Sequence, residues 1–223
     1  MTLRLLAGIF ICAFSLQASA FEYDPDIGEE INEVCAGCHG EYGQGGRQGE
    51  YPRLAGLPES YLIRQMELFR DRKRPNMAMV EYVDDRQMPD EDIFHISRYL
   101  AEIKLNTRLP KVDENAPDFN AYARLLESKK LMQIGRAPGD IKLGKKMYKK
   151  ECASCHARDG YGKIKKGIPM LAGQYTEYLW RQVKLFRELQ RIHDEDEPDE
   201  ELLNDFTDEE LQNIFAWLST ADD

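Results

Sequence analysis

Apolar positions recur at three- and four-residue spacing along most of the chain, and no stretch alternates with period two for long enough to make a strand. Ile93, Ile96, Leu100 and Ile103 share one face of a segment opening at Glu91. Leu211, Ile214, Phe215 and Leu218 share one face of another opening at Glu209. Thr207, with Glu210 three residues on, predicts a capping box at the start of the second. On the first, His95 falls opposite the apolar stripe and reads as a surface residue. The segments 61–69 and 178–186 also carry helical spacing, a basic helix is expected over 141–151, and a short helical patch over 122–132. The pattern is mostly α.

The elements come in two copies. Residues 35–39 read Cys-Ala-Gly-Cys-His and residues 152–156 read Cys-Ala-Ser-Cys-His, an offset of 117. At the same offset Gly43 and Gly45 match Gly160 and Gly162. Pro52 and Leu54-Ala55-Gly56 match Pro169 and Leu171-Ala172-Gly173. Tyr61, Gln65 and Arg70 match Tyr178, Gln182 and Arg187. Self-similarity at a fixed period means an internal duplication. Past Arg70 the copies drift and realign one residue later. The stretch 104–139, with Pro110, Pro117 and Pro138, reads as an ordered linker packed on one or both units, because a long bare loop would be unusual. The expected organisation is a leader at 1–20, one domain at 21–103, the linker at 104–139 and a second domain at 140–223.

Composition narrows the class. Among 223 residues there are 30 Lys and Arg against 40 Asp and Glu, a net charge of −10. The mean hydropathy is −0.59, which excludes a bundle of membrane spans. The acidic balance argues against nucleic acid as the main partner. The first twenty residues have Arg4, an apolar run from Leu5 to Leu16 and Ala18-Ser19-Ala20, the pattern of an export signal cleaved after Ala20. An exported, periplasmic chain with no stable span in its mature form is expected. Cys12 leaves with the leader, and Cys35, Cys38, Cys152 and Cys155 remain.

Two cysteines three apart with a histidine directly after them match covalent haem attachment, the thiols bonding to two porphyrin vinyl groups and the histidine binding the iron. A redox dithiol or a shared zinc site would use the same cysteines but leave both histidines unexplained. Two covalent haem c groups are therefore expected, with Cys35, Cys38, Cys152 and Cys155 as attachment points and His39 and His156 on the irons. A bound porphyrin also supplies apolar surface to units too small for a large core of their own.

The order CxxCH, Pro-x-Leu-Ala-Gly, Tyr-Leu-x-x-Gln, a Met-bearing loop and a closing helix resembles dihaem class I cytochromes c of the c4 type. The resemblance covers about 35–103 and 140–221. It implies a mostly α fold of two tandem class I cytochrome c domains, each wrapped around a covalently attached haem, in a periplasmic electron carrier rather than an enzyme. It also implies that the carbonyls of Pro52 and Pro169 accept hydrogen bonds from the proximal imidazoles. Its partners would be redox proteins: a dehydrogenase, a membrane complex or a terminal reductase or oxidase.

In that family the sixth ligand is a methionine from the loop before the last helix. The first copy offers Met77 and Met79, of which Met79 sits closer to the family position, and Met88, which precedes the helix and reads as a packing residue. The second copy has no methionine there; Met170 adjoins the proximal loop instead. His193 lies 37 residues after His156, against 38 and 40 from His39 to Met77 and Met79. The second haem is then either His156/His193 or an open iron, and an open iron would favour a haem enzyme or small-ligand sensor. Dihaem thiosulfate dehydrogenases, a related enzyme type, use a distal cysteine that this chain does not offer.

Charge is unevenly spread. Residues 140–166 hold nine Lys and Arg against three acids, and residues 194–210 hold eleven acids and no base. Such runs are either solvated faces or a dipole that steers docking.

Overall fold

The computed structural model describes residues 21–132, 134–193 and 202–220; the leader and most of the acidic run, 194–201, lie outside them. The described residues are helical, with three isolated bridges and no strand. The first copy holds α1 (Pro25–His39), α2 (Glu59–Arg70), α3 (Met77–Tyr82) and α4 (Asp90–Glu102). After α5 (Ala121–Lys129) the second holds α6 (Ile141–Glu151), α7 (Ala153–His156), α8 (Thr176–Arg187) and α9 (Asp208–Leu218).

Each copy is built on one crossing of its first and last helices, α1 on α4 and α6 on α9. Small residues mark the crossings. A methyl group on Gly28 would sit 2.7 Å from Cβ of Tyr99, and one on Gly144 would run into the Asn213 carbonyl. Seven residues separate Gly28 from Cys35 but eight separate Gly144 from Cys152. α1 accordingly runs unbroken through its cysteines, whereas the second copy breaks at Cys152 into α6 and α7.

The apolar stripes go where their spacing sends them. Ile93, Ile96 and Leu100 are at most 2% exposed, and Leu211, Ile214, Phe215 and Leu218 are all buried. Met88 is buried with Phe69, Val83 and Ile93. Thr207 and Glu210 form the capping box at the head of α9. Residues 104–139 pack on both copies: Lys129 pairs with Glu41 at 3.2 Å, while the Ala137 N–H donates to Ser219 Oγ at 3.0 Å.

His95 corrects the surface reading. It is 1% exposed. The α4 helix is covered on a second side, because Tyr23 stacks on the imidazole and the Asp24 N–H donates to His95 Nδ1 at 3.1 Å. The second copy makes the same bond with a different residue: Asn213 Oδ1 accepts from the Asp140 N–H at 2.6 Å. Asp24 and Asp140 are the N-caps of α1 and α6, so each last helix uses a polar side chain to hold the entry of its first. Position 95 therefore needs an acceptor rather than an imidazole. His95→Asn should leave unfolding by guanidinium within about 0.5 kcal/mol of the parent, whereas His95→Leu should lose about 1 kcal/mol, the net worth of the part-buried bond from the Asp24 N–H.

Candidate functional site

The proximal histidines are held alike. His39 Nδ1 donates to the Pro52 carbonyl at 3.0 Å and His156 Nδ1 to the Pro169 carbonyl at 2.9 Å. The loop that brings each carbonyl back is folded by the glycines at positions 45 and 162, with φ of 79° and 73°. Their N–H groups donate to the carbonyls of His39 and His156. A Cβ on either would collide with the backbone beside the proline. With Nδ1 engaged, Nε2 is the nitrogen that each ring has to offer an iron. Burial pushes the His39 imidazole below its ordinary pKa and takes His156 down to about 4, so both rings are neutral and carry a lone pair at physiological pH.

Burial pushes the Cys35 and Cys152 thiols up to about 11. They are protonated thiols, suited to adding across a vinyl group and unsuited to acting as free thiolates. Among the described residues no cluster of three or more His, Cys, Asp or Glu is arranged to hold a metal ion.

On the distal side the copies differ. Met77 is 67% exposed. Met79, in the first turn of α3, is half-buried against the cluster of Phe69, Val83, Met88 and Ile93. Asn76 caps this helix by accepting from the Met79 N–H at 3.3 Å. In the second copy His193 faces His156, ring centroids 6.1 Å apart, and packs its edge on Phe186 at 5.1 Å. If His156 bound an iron, His193 would be close enough to serve as a second imidazole ligand. Met170 is on neither distal side. It is buried in the core of the first copy, among Leu57, Leu62, Ile96 and Leu100.

Equivalent arginines buckle both distal loops. Arg70 donates to the carbonyls of Val83 and Met88 and pairs with Asp90 at 2.7 Å. Arg187 does the same with Leu203, Phe206 and Asp208.

Between the copies lies a buried polar cluster with approximate twofold symmetry. Arg74 donates to Gln65 at 2.8 Å, to Gln182 at 3.0 Å and to the Tyr178 hydroxyl at 2.9 Å. Arg191 donates to Gln182, to Gln65 at 3.0 Å and to the Tyr61 hydroxyl at 2.8 Å. Each guanidinium also lies over a ring of its own copy, Phe69 or Phe186. Burial alone would raise the Tyr178 phenol, but the adjacent Arg74 and Arg191 outweigh it and hold it below the ordinary tyrosine value. Among the described residues neither arginine pairs with a carboxylate. The glutamines and tyrosines belong to the matched positions of the duplication. The two arginines were missed, although they stand at the same 117-residue offset just past the last obvious match. Beside the cluster, Gln174 bonds both ways to the Arg53 backbone, at 3.0 Å each.

A helical unit that holds a CxxCH histidine by a proline carbonyl and closes over it with a buckled distal loop defines a covalent haem domain, here present twice. The family model described as cytochrome c matches residues 26–104 and 141–222, and the chain belongs to that family. It is of the dihaem c4 type. It is 30% identical over 173 residues to cytochrome c4 of Pseudomonas aeruginosa, covering 78% of this chain and 76% of that one. It is 26% identical to a protein of Stutzerimonas stutzeri named thiosulfate dehydrogenase electron acceptor, covering 97% of this chain and 94% of the other. Among solved structures, reduced cytochrome c4 from Pseudomonas stutzeri superposes with a TM-score of 0.67 at 21% identity, over 89% of this chain and 98% of that one.

Because Gln65 and Gln182 each accept from both arginines, removing one takes a partner from two buried guanidiniums, each of which keeps the other glutamine and a tyrosine. Gln182→Leu should cost about 2–3 kcal/mol in chemical denaturation of the haem-loaded protein. The same change at exposed Gln190 should be near neutral.

Proposed function

We propose that the protein is an exported electron carrier whose two haems differ in ligation: His39 and Met79 on the first, His156 and His193 on the second. The observation that carries this reading is the 6.1 Å facing pair of His156 and His193. Haem c supplies one-electron chemistry between ferric and ferrous iron. The chain's own residues do the rest. Cys35, Cys38, Cys152 and Cys155 anchor the macrocycles, and the Pro52 and Pro169 carbonyls fix the imidazole planes and make the rings more basic ligands. The vinyl and carboxylate edges of a haem are opposite each other. With the cysteines at one edge, Arg74 and Arg191 are the buried cations suited to the haem carboxylates at the other.

A thioether stabilises ferrous iron and imidazole stabilises ferric iron, so the second haem sits at the lower potential. The S. stutzeri relative's role as acceptor for an oxidoreductase supports a carrier with a protein donor. No helix among the described residues is long and apolar enough to cross a membrane. The carrier reading therefore needs only docking, and it includes export by the leader and cleavage after Ala20.

Low-temperature EPR of the fully ferric protein tests the ligand set. Two low-spin signals are expected; His193→Ala should turn one high-spin, Met79→Ala the other, and Met77→Ala neither. A high-spin signal in the parent would mean an open second iron and would bring the enzyme or sensor reading forward, with small-ligand binding as its next test.

A further inference from the structure

The carbonyls that hold the two proximal histidines belong to the peptide units Pro52–Arg53 and Pro169–Met170. A peptide unit is planar and rigid, so whatever fixes its second residue aims its carbonyl. In both copies that second residue is fixed by the other copy. Arg53 and Met170 also fill the one variable place in Pro-x-Leu-Ala-Gly, 117 residues apart.

On one side the contact is polar. The Arg53 N–H, in the same plane as the Pro52 carbonyl, donates to Gln174 Oε1 of the second copy at 3.0 Å, and Gln174 Nε2 donates back to the Arg53 carbonyl at 3.0 Å. Arg53 Nη1 reaches the Gly173 carbonyl at 3.4 Å. Arg53 and Gln174 are both buried. On the other side the contact is apolar. Met170 lies in one buried cluster with Leu57, Leu62, Ile96 and Leu100 of the first copy, and a methyl group on Gly56 would be 3.2 Å from its Cε. Leu57 stands 117 residues before Gln174, so Arg53 with Gln174 and Met170 with Leu57 are the same contact made twice, once with polar and once with apolar partners. The Gly43 and Gly160 carbonyls already close each loop within its own copy. The contacts across the boundary therefore act on something other than loop closure.

We propose that Arg53 and Met170 are positioning residues: each fixes the proximal hydrogen bond of its own copy by anchoring it in the other, so that the strength of each imidazole ligand depends on the packing of the neighbouring copy. This rests on the reading of His39 and His156 as iron ligands and adds a route by which one site senses the other. The bond from Nδ1 makes the imidazole a more basic ligand, which favours ferric iron. A slack bond at His156 therefore raises the potential of the second haem, and a slack bond at His39 that of the first. Because the contacts are shared, the influence runs in both directions.

Solvent exchange of the Nδ1 protons, followed by NMR in the ferrous, histidine-labelled holoprotein, reads these bonds directly. Leu57→Ala opens the seat of Met170 without touching the second copy, and should speed exchange at His156 about tenfold. Met170→Ala should do the same, while Met170→Leu, which keeps the volume, should stay within about twofold of the parent. Gln174→Leu, a change in the second copy, should speed exchange at His39 in the first. Val83→Ala truncates the other core cluster of the first copy and is the control for lost stability; it should leave His156 unchanged. Unchanged exchange at His156 in Leu57→Ala and Met170→Ala would overturn the proposal, and so would an equal acceleration in Val83→Ala. An error in the ligand set shows in the ferric EPR of the parent, whereas an error in the anchoring shows in the exchange rates of the variants.

Discussion

The proximal side of each copy hangs on one hydrogen bond, from His Nδ1 to a proline carbonyl thirteen residues on. A histidine fixed to the chain directly after a cysteine can swing about two side-chain torsions, and a metal ligand that swings cannot hold one iron geometry. Bonding Nδ1 to a carbonyl removes that freedom, sets the tautomer and leaves Nε2 outward. The glycines at 45 and 162 exist for this bond. The Pro-x-Leu-Ala-Gly segment passes so close to them that no side chain fits, and the carbonyls of Gly43 and Gly160 accept from the N–H groups of Leu54 and Ala55 or Leu171 and Ala172 to lock the return. The motif that looks like scattered punctuation in sequence is one device: a turn, a return and a carbonyl delivered to an imidazole.

The distal side is held by a different principle, arginines that reach backbone carbonyls. Arg70 and Arg187 each tie two loop carbonyls and the first aspartate of the last helix, so the distal segment is fixed at its far end whatever its sequence. On the proposed ligation, this tolerance lets one copy present a methionine and the other a histidine from loops of the same length class. Arg74 and Arg191 fix the near ends and join the two copies. A buried guanidinium served only by amides and phenols is costly unless an anion completes it. Two such groups back to back make sense in a protein whose prosthetic groups each bring carboxylates of their own.

The helices were legible because each buries a single stripe, and the CxxCH pairs because their chemistry needs that spacing. His95 was misread for the same reason that Ile93 and Ile96 were read correctly. A stripe argument assumes one buried face, but α4 is also covered by the N-terminal segment, and the polar position there caps a neighbouring helix. The alignment of the two copies carried the missing signal, since His95 pairs with Asn213, a polar residue at a buried register. Arg74 and Arg191 were hidden differently. Arginine is ordinarily a surface residue, and only a contact between copies, which no local pattern encodes, reveals that these two are interior. Met170 is a similar case, a residue of one copy filling the core of the other.

Symmetry and asymmetry in the molecule divide the work between them. The features kept in both copies fix distances: the crossing glycines, the Nδ1 bond, the buckling arginines and the arginine–glutamine–tyrosine cluster. Electron transfer between two sites depends steeply on their separation, and a cluster that interlocks six side chains in three matched pairs leaves the copies little freedom to shift. The features that differ set energies instead: the distal residue, the charge of the first helix, and the exchange of Arg53 for Met170 at the interface. An arginine buried at 53 bonds the backbone of the other copy, whereas Met170 enters its core, so the two halves are keyed to each other in one orientation only. A symmetric pair of identical haems would pass electrons equally well in either direction. On the proposed ligation the two ends are unequal while the geometry between them is held, and the same scaffold would then acquire a direction.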